Sequence, residues 1–236
     1  MSGAVASGAP RPPARRPLNR DLILHAAVAL IERDGPGALT MRRLGAMLGV
    51  EGMAIYHHFD GRDELLAAIG DRVLEPLGEL ELGHDWSEAC RRFAMRLRDI
   101  ALAQPATFRL LGLQPFDTAA SLRPIERLLE VVIAGGFTPS AALAIYRATV
   151  SFARGYALAE ATGFTVDAAR PTGRRRLAAL SRDEFPILAG RASELAKLDS
   201  DAAYDLGLQA LLTGLADAGT SRLDGKTPRR AKRRRR

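Results

Sequence analysis

Between Thr40 and Arg62 the chain reads TMRRLGAMLGVEGMAIYHHFDGR, a segment dense in hydrogen-bond donors: the guanidiniums of Arg42, Arg43 and Arg62, the Tyr56 phenol, and the imidazoles of His57 and His58. Donors of these types suit phosphate oxygens and the edges of nucleic-acid bases. They do not form a catalytic set. The chain has no Gly-x-Ser-x-Gly, no Glu-x-x-His pair and no phosphate-cradling glycine loop, and it holds only 4 histidines, so an enzyme is not expected. No metal site and no cofactor is expected either, since His57 and His58 have no further histidine at ligand spacing. Cys90 is the single cysteine; it cannot form an internal disulfide, and it reads as a small core residue in a reducing compartment, the cytoplasm.

The elements that must position these donors follow from spacing. Thr40 caps a helix over 41–48 whose Met41, Leu44 and Leu48 share a face, and Gly49 supplies its left-handed end. A second short helix is expected over MAIYHHF, residues 53–59. Gly45 has no side chain to keep the second helix away, and Leu44, Leu48, Val50 and Ile55 close a small core beneath the pair. Two short helices joined by a tight turn have the form of a helix-turn-helix, whose second helix enters the DNA major groove. A helix with the stripe Leu22, Ile23, Ala26, Ala27, Leu30 and Ile31 precedes the pair, capped by Asn19 and stopped by Gly-Pro-Gly at 35–37. Asp60, with Asp63 as a capping-box partner, opens another helix that runs to about Leu77 and is ended or kinked by Pro76.

Beyond this segment the apolar period stays helical, with helices expected over 87–103, 121–134, 139–161 and 201–218 and a broken stretch over 106–114. Residues 163–186 read as a long loop in which RRRLAALS forms a turn or two of helix. No run alternates with period two, so the fold class is all-α. The 236 residues, 47% hydrophobic and 26% charged, suffice for one or two cores without staples. Of the net charge of +7, eleven positive charges lie in the ends, at Arg11, Arg15, Arg16 and within 226–236, so residues 18–225 carry −4. The tail RRAKRRRR is either a counterion-releasing contact for a polyanion or a solvated end. No signal-peptide core and no membrane-spanning apolar run is seen, and no membrane contact is expected.

The segment from Leu18 to Leu77 resembles the tetracycline-repressor (TetR) family of bacterial transcriptional regulators, through GxxxLT at 35–40, RRLGxxLGV, the IYHHF box and the DxRDxLL helix start. Weaker similarity follows in YRATVSFARGYALAEA, FPILAG and DLGLQALLTGL, of the family's tetracycline-repressor type of ligand-binding and dimerisation domain. The resemblance implies an N-terminal three-helix helix-turn-helix domain over 18–78, with the motif at about 40–59, and a larger helical ligand-binding and dimerisation domain over 79–222. Disordered basic ends at 1–17 and 223–236 flank them. It makes Arg42 the base-reading arginine and Tyr56 and Arg62 the phosphate ligands, with Thr40 both capping and reaching the backbone. The recognition-helix start, polar in the tetracycline repressors, is here Gly52, Met53 and Ala54, so contacts to thymine methyls and DNA shape replace the tetracycline operator. The expected DNA-binding set is Thr40, Arg42, Arg43, Gly52, Met53, Ala54, Tyr56, His57, His58 and Arg62.

A single motif buries too little surface for operator affinity, so a homodimer reading a palindromic double-stranded operator is expected. Its four-helix bundle would use 139–161 and 201–218, with Gly155, Ala157, Gly207 and Gly214 allowing close approach and Ile145, Val150, Leu208, Leu211 and Leu215 supplying apolar area. The resemblance further implies an effector cavity, for which Phe93, Leu97, Leu110, Leu113, Phe116, Phe152, Tyr156 and Phe164 are the candidates. Leu110 and Leu113 stand where tetracycline binders place a metal-linked His and a Thr, which points to a largely apolar effector of unknown identity in place of magnesium-tetracycline. The reading is a ligand-responsive repressor in the bacterial cytoplasm, associated with the nucleoid. The alternative is an all-helical small-molecule or lipid-binding protein whose basic ends bind nucleic acid nonspecifically.

Overall fold

Asn19 opens the first helix as expected, its side-chain oxygen accepting the Leu22 amide at 2.8 Å. The structure, a computed structural model, describes residues 17–111, 117–163 and 171–223. Helix α1 (Arg20–Asp34) buries Ile23, Ala27, Leu30 and Ile31 and ends at Gly35, whose φ of 85° suits glycine. A 3-10 turn at Pro36–Ala38 leads to α2 (Met41–Leu48) and α3 (Gly52–Ile55), and α4 (Arg62–Gly78) completes the N-terminal cluster.

Helix α4 differs from expectation at its start. Its N-cap is Gly61, which has no side chain to cap with; the Asp60 amide instead donates to the Glu64 carboxylate, so the acidic partner is Glu64 and not Asp63. Pro76 lies inside the helix, which runs on to Gly78. The helix buries Leu65, Leu66, Ile69, Val73, Leu74 and Leu77 in a core continuous through both halves of the chain, with Leu74 and Leu77 beside Phe93 and Leu97.

That half contains α5 (Trp86–Ala103), α6 (Pro105–Leu111), α7 (Ala119–Ala134), α8 (Pro139–Thr162), α9 (Pro171–Ala178), α10 (Ala192–Leu195) and α11 (Ser200–Leu223). Among the described residues there is no strand. Asp85, Thr118 and Thr138 cap α5, α7 and α8 by accepting the Glu88, Ser121 and Ala141 amides. The expected loop over 163–186 contains α9, which starts at Pro171, ahead of RRRLAALS; proline at the first helical position costs no hydrogen bond. α10 had no periodic stripe to announce it, and it buries none of its residues.

The α5–α8 contact is the most extensive helix pair, and α11 lies against both. A polar cluster seals that junction. Arg98 of α5 donates from Nε and Nη2 to Glu160 of α8 at 2.6 and 2.7 Å, and from Nη2 to Asp201 of α11 at 2.7 Å. The Ser200 hydroxyl donates to the same Glu160 carboxylate at 2.5 Å. Burial alone would raise the Glu160 carboxyl, but the Arg98 and Ser200 hydrogen bonds and the Arg98 charge outweigh it and hold it below its ordinary value. The Arg98 guanidinium also sits 4.7 Å over the Tyr204 ring, and the Tyr204 hydroxyl donates to the Ala94 carbonyl at 2.9 Å. Cys90 is fully buried, and burial pushes its thiol up to about 11, so it packs and does not react.

Several residues expected on a bundle surface face inward instead. Ile145, Ala157 and Leu208 are buried within the chain, and a Cβ on Gly207 would meet the Phe152 ring at 2.8 Å. These stripes fill the core between α5, α8 and α11. The outward sides of α8 and α11 carry Leu143 and Leu206, and Gly155 and Gly214 have open space around them.

Candidate nucleic-acid interface

The crossing of α2 and α3 is set by backbone contact. A Cβ built on Gly45 would lie 2.8 Å from the Gly52 nitrogen and 2.9 Å from the Val50 oxygen, so no larger residue fits without moving a helix. Gly49 turns the chain at φ 69°, ψ 30°, in the left-handed region. Beneath the crossing Leu44 and Ile55 are fully buried and Leu48 and Val50 half-buried, with Phe59 closing the far end. The recognition helix is shorter than MAIYHHF suggests: α3 begins at Gly52 and ends at Ile55, and 56–58 continue as a turn in which the Phe59 amide donates to the Ile55 carbonyl at 3.1 Å.

Most of the expected ligands project outward. Thr40, Arg42, Arg43, Met53, Tyr56, His57 and Arg62 are exposed, Met53 by 68%, and Ala54 and His58 are half-exposed. Thr40 caps α2 by accepting the Arg43 amide at 3.2 Å. Arg42 and Arg62 make no ion pair with the described residues, which leaves their guanidiniums available. Two positions also serve the fold. Gly52 is half-exposed, and an added Cβ would lie 3.2 Å from the Met41 carbonyl, so a glycine here lets the helices cross. Arg43 is bound to Asp34 at 2.6 Å, and Asp34 also holds Arg33, so this cation anchors α2 to the end of α1.

Arg20 was not legible as part of this site. It lies 4.1 Å over the Phe59 ring, pairs with Glu64 at 2.9 Å and donates to the His58 carbonyl, tying the start of α1 to the end of the motif. Its partners lie far along the chain, so no local spacing marks it.

The expected cavity residues divide. Phe93 and Leu97 line a small cavity of about 40 Å³ together with Leu74, Leu77, Ser121, Ile125, Tyr146, Val150 and Arg154. Phe152 and Tyr156 do not: two positions along a helix turn a side chain about 200°, so they point away from the Tyr146–Val150–Arg154 face and stack on Tyr204 at 5.3 and 5.1 Å. Leu110 is half-buried against the core, off the cavity. Leu113, Phe116 and Phe164 lie outside the described residues, as do the arm 1–16 and the tail 224–236. The spacing i, i+4, i+8 of Tyr146, Val150 and Arg154 was the signal that could have found this wall. Burial raises the Tyr146 phenol while the Arg154 charge opposes it, so the hydroxyl is a neutral donor.

Polar links join the two halves. Glu32 of α1 accepts the amides of Ala106 and Thr107, at 3.2 and 2.7 Å, and the Thr107 hydroxyl at 2.7 Å, which makes it the cap of α6. The Thr118 hydroxyl donates to Asp71 of α4, and Arg127 donates to the carbonyls of Gly78 and Leu80 at 2.6 and 2.9 Å. Helix α4 is thereby tied to α7, and its Leu74 and Leu77 line the cavity.

A helix-turn-helix with an outward row of uncommitted donors, joined through α1 and α4 to a larger helical half, defines a DNA-binding regulator. Residues 23–69 match the model of the bacterial regulatory proteins of the tetR family, and residues 79–218 match the tetracyclin repressor-like C-terminal domain. The chain belongs to the TetR family of transcriptional regulators, a family of DNA-binding, ligand-responsive proteins and not of enzymes. An HTH-type transcriptional regulator of Saccharopolyspora erythraea is 30% identical over 202 residues, covering 84% of this chain and 85% of the relative. The HTH-type transcriptional repressor DrrR1 of Streptomyces coeruleorubidus is 27% identical over 223 residues, covering 87% and 81%. The crystal structure of the TetR family protein ActR of Streptomyces coelicolor in complex with actinorhodin superposes with a TM-score of 0.69 at 27% identity, covering 86% of this chain and 99% of that one. Among the described residues no helix is long and apolar enough to cross a membrane.

Proposed function

We propose that this chain is a homodimeric repressor that binds a palindromic operator through the 18–78 unit and is released by a small, largely apolar effector held in the 79–222 unit. It works in the cytoplasm on nucleoid DNA, without catalytic activity. Arg42 reads a base edge, Met53 and Ala54 contact thymine methyls, and Thr40, Tyr56, His57, His58 and Arg62 hold phosphates. The reading rests chiefly on the Gly45–Gly52 crossing, which fixes α2 and α3 at backbone contact with Arg42 and Met53 exposed on them and Tyr56 and Arg62 exposed just beyond. Two copies join through the outward sides of α8 and α11, where Leu143 and Leu206 are exposed.

The effector acts by population shift. A ligand that binds better to the conformation with mis-spaced recognition helices drains the DNA-competent state, and operator weakens ligand binding by the same factor. Helix α4 carries the coupling, since its Leu74 and Leu77 line the cavity while the helix also lies against α1 of the DNA-binding unit. The small-molecule complexes of ActR support this assignment by likeness. Selection of bound sequences from a random duplex pool tests the proposal. Enriched inverted half-sites about one helical turn apart are expected. Recovery of no enriched sequence, or loss of all binding when 226–236 are deleted, overturns it in favour of nonspecific attraction by the basic end.

A further inference from the structure

Two voids flank the first turns of α7. The inner one is the cavity of about 40 Å³, enough for a few water molecules and far below the several hundred cubic ångströms of a ligand site. The outer one is an open cleft of about 540 Å³ between α7 and the α1–α4 side of the DNA-binding unit. Leu74 lines both. On α7, Ala120 and Pro124 face the cleft while their neighbours Ser121 and Ile125 face the cavity, so the partition is one side chain and one helix thick.

That helix is weakened where it divides the voids. Pro124 has no amide hydrogen, so the Ala120 carbonyl lacks its helical donor and the first turn of α7 is joined to the rest by one bond fewer. The turn's position is set from outside, by the Thr118–Asp71 hydrogen bond and, further along, by Arg127 on the end of α4. Of the charged groups around the cleft, Arg72 pairs with Glu75 at 3.1 Å, Asp71 takes the Thr118 hydroxyl and Arg127 is spent on carbonyls. Arg123 is exposed and makes no ion pair with the described residues.

We propose that this cleft is the mouth of the effector cavity and that its ligand is an amphipathic anion: the apolar part passes Leu74 into the cavity, and the acidic group stays beside Arg123. The proposal deepens the effector-responsive reading above and depends on it. An apolar body recovers area from water as the first turn of α7 moves aside, while the acidic group keeps a charge-assisted contact at the rim.

Stopped-flow fluorescence on the full chain tests it with two probes, 1-anilinonaphthalene-8-sulfonate and its uncharged counterpart N-phenyl-1-naphthylamine. Leu74→Ala is expected to speed association of both by about fivefold and Leu74→Trp to slow both by a similar factor, a gate acting on rate. Arg123→Glu is expected to weaken the sulfonate probe by about tenfold and leave the neutral probe within about twofold, the loss of one charged contact. Equal rates across the Leu74 variants, equal losses of both probes in Arg123→Glu, or no saturable binding of either probe to the unaltered chain would overturn the proposal. Duplex selection is scored separately on the unaltered chain and decides the regulator reading alone, so the two failures are distinguishable.

Discussion

At Gly45 two helices meet at backbone contact, with nothing between them but a missing Cβ; at Arg98 three helices are held by a guanidinium among two carboxylates and a tyrosine ring. The first junction fixes an angle and leaves its outward side chains free for another molecule. The second commits its guanidinium to partners on neighbouring helices. Backbone sterics hardly deform, whereas polar contacts between helices can exchange partners. The links between the two, Glu32 to α6 and Asp71 to Thr118, are of the second kind.

The comparison breaks most sharply at Glu160. Glu160→Gln leaves a buried Arg98 charge facing only the exposed Asp201, and a loss of about 3 to 5 kcal/mol in urea unfolding is expected. Gly45→Ala is next: its methyl meets the backbone of residues 50 and 52, for a cost of about 2 to 3 kcal/mol, with selective duplex binding lost while the Arg98 junction still holds. If that variant bound operator normally, the backbone-contact account of the motif would be wrong. Arg42→Ala touches neither junction; it is expected to cost about 1 to 3 kcal/mol on operator, far less on random duplex, and nothing in unfolding. Equal losses on both duplexes would make Arg42 a phosphate ligand.

The mildest probe is pH. The native Glu160 carboxyl titrates below its ordinary value, so the unfolded chain binds the proton more readily. Its contribution is complete above that ordinary value and is lost as pH falls through the lower native one. Urea midpoints measured down through the acid range should show the decline, and Glu160→Gln should flatten it. A variant that kept the full acid dependence would place the responsible carboxyl elsewhere.

The motif was legible because its determinants are local. The caps at Asn19 and Thr40 bond three residues away, and Gly49 ends α2 through its own φ, so each leaves a mark within one turn of the chain. The capping partner at α4 was misread by a single position, and the close approach of Gly52 to Met41 was not legible, because a glycine that admits a neighbouring helix and one that approaches a ligand look alike in sequence. The cavity was half legible. Phe93 and Leu97 lie on the strongest stripe of α5, but Phe152 and Tyr156 belong to the opposite side of α8, and which side of a helix apolar all round meets a void depends on where its neighbours lie.

The sequence by itself determined an all-α chain, the helix-turn-helix and most of its outward donors, because helical period, caps and left-handed glycines act over a few residues. Only the tertiary structure decided that Arg43 belongs to Asp34, that Arg20 spans to Phe59, that Arg98 gathers Glu160 and Asp201, and that Leu74 stands between cleft and cavity. Each of these joins groups on different helices, and a pairing across space is fixed by how those helices pack, which no local spacing encodes.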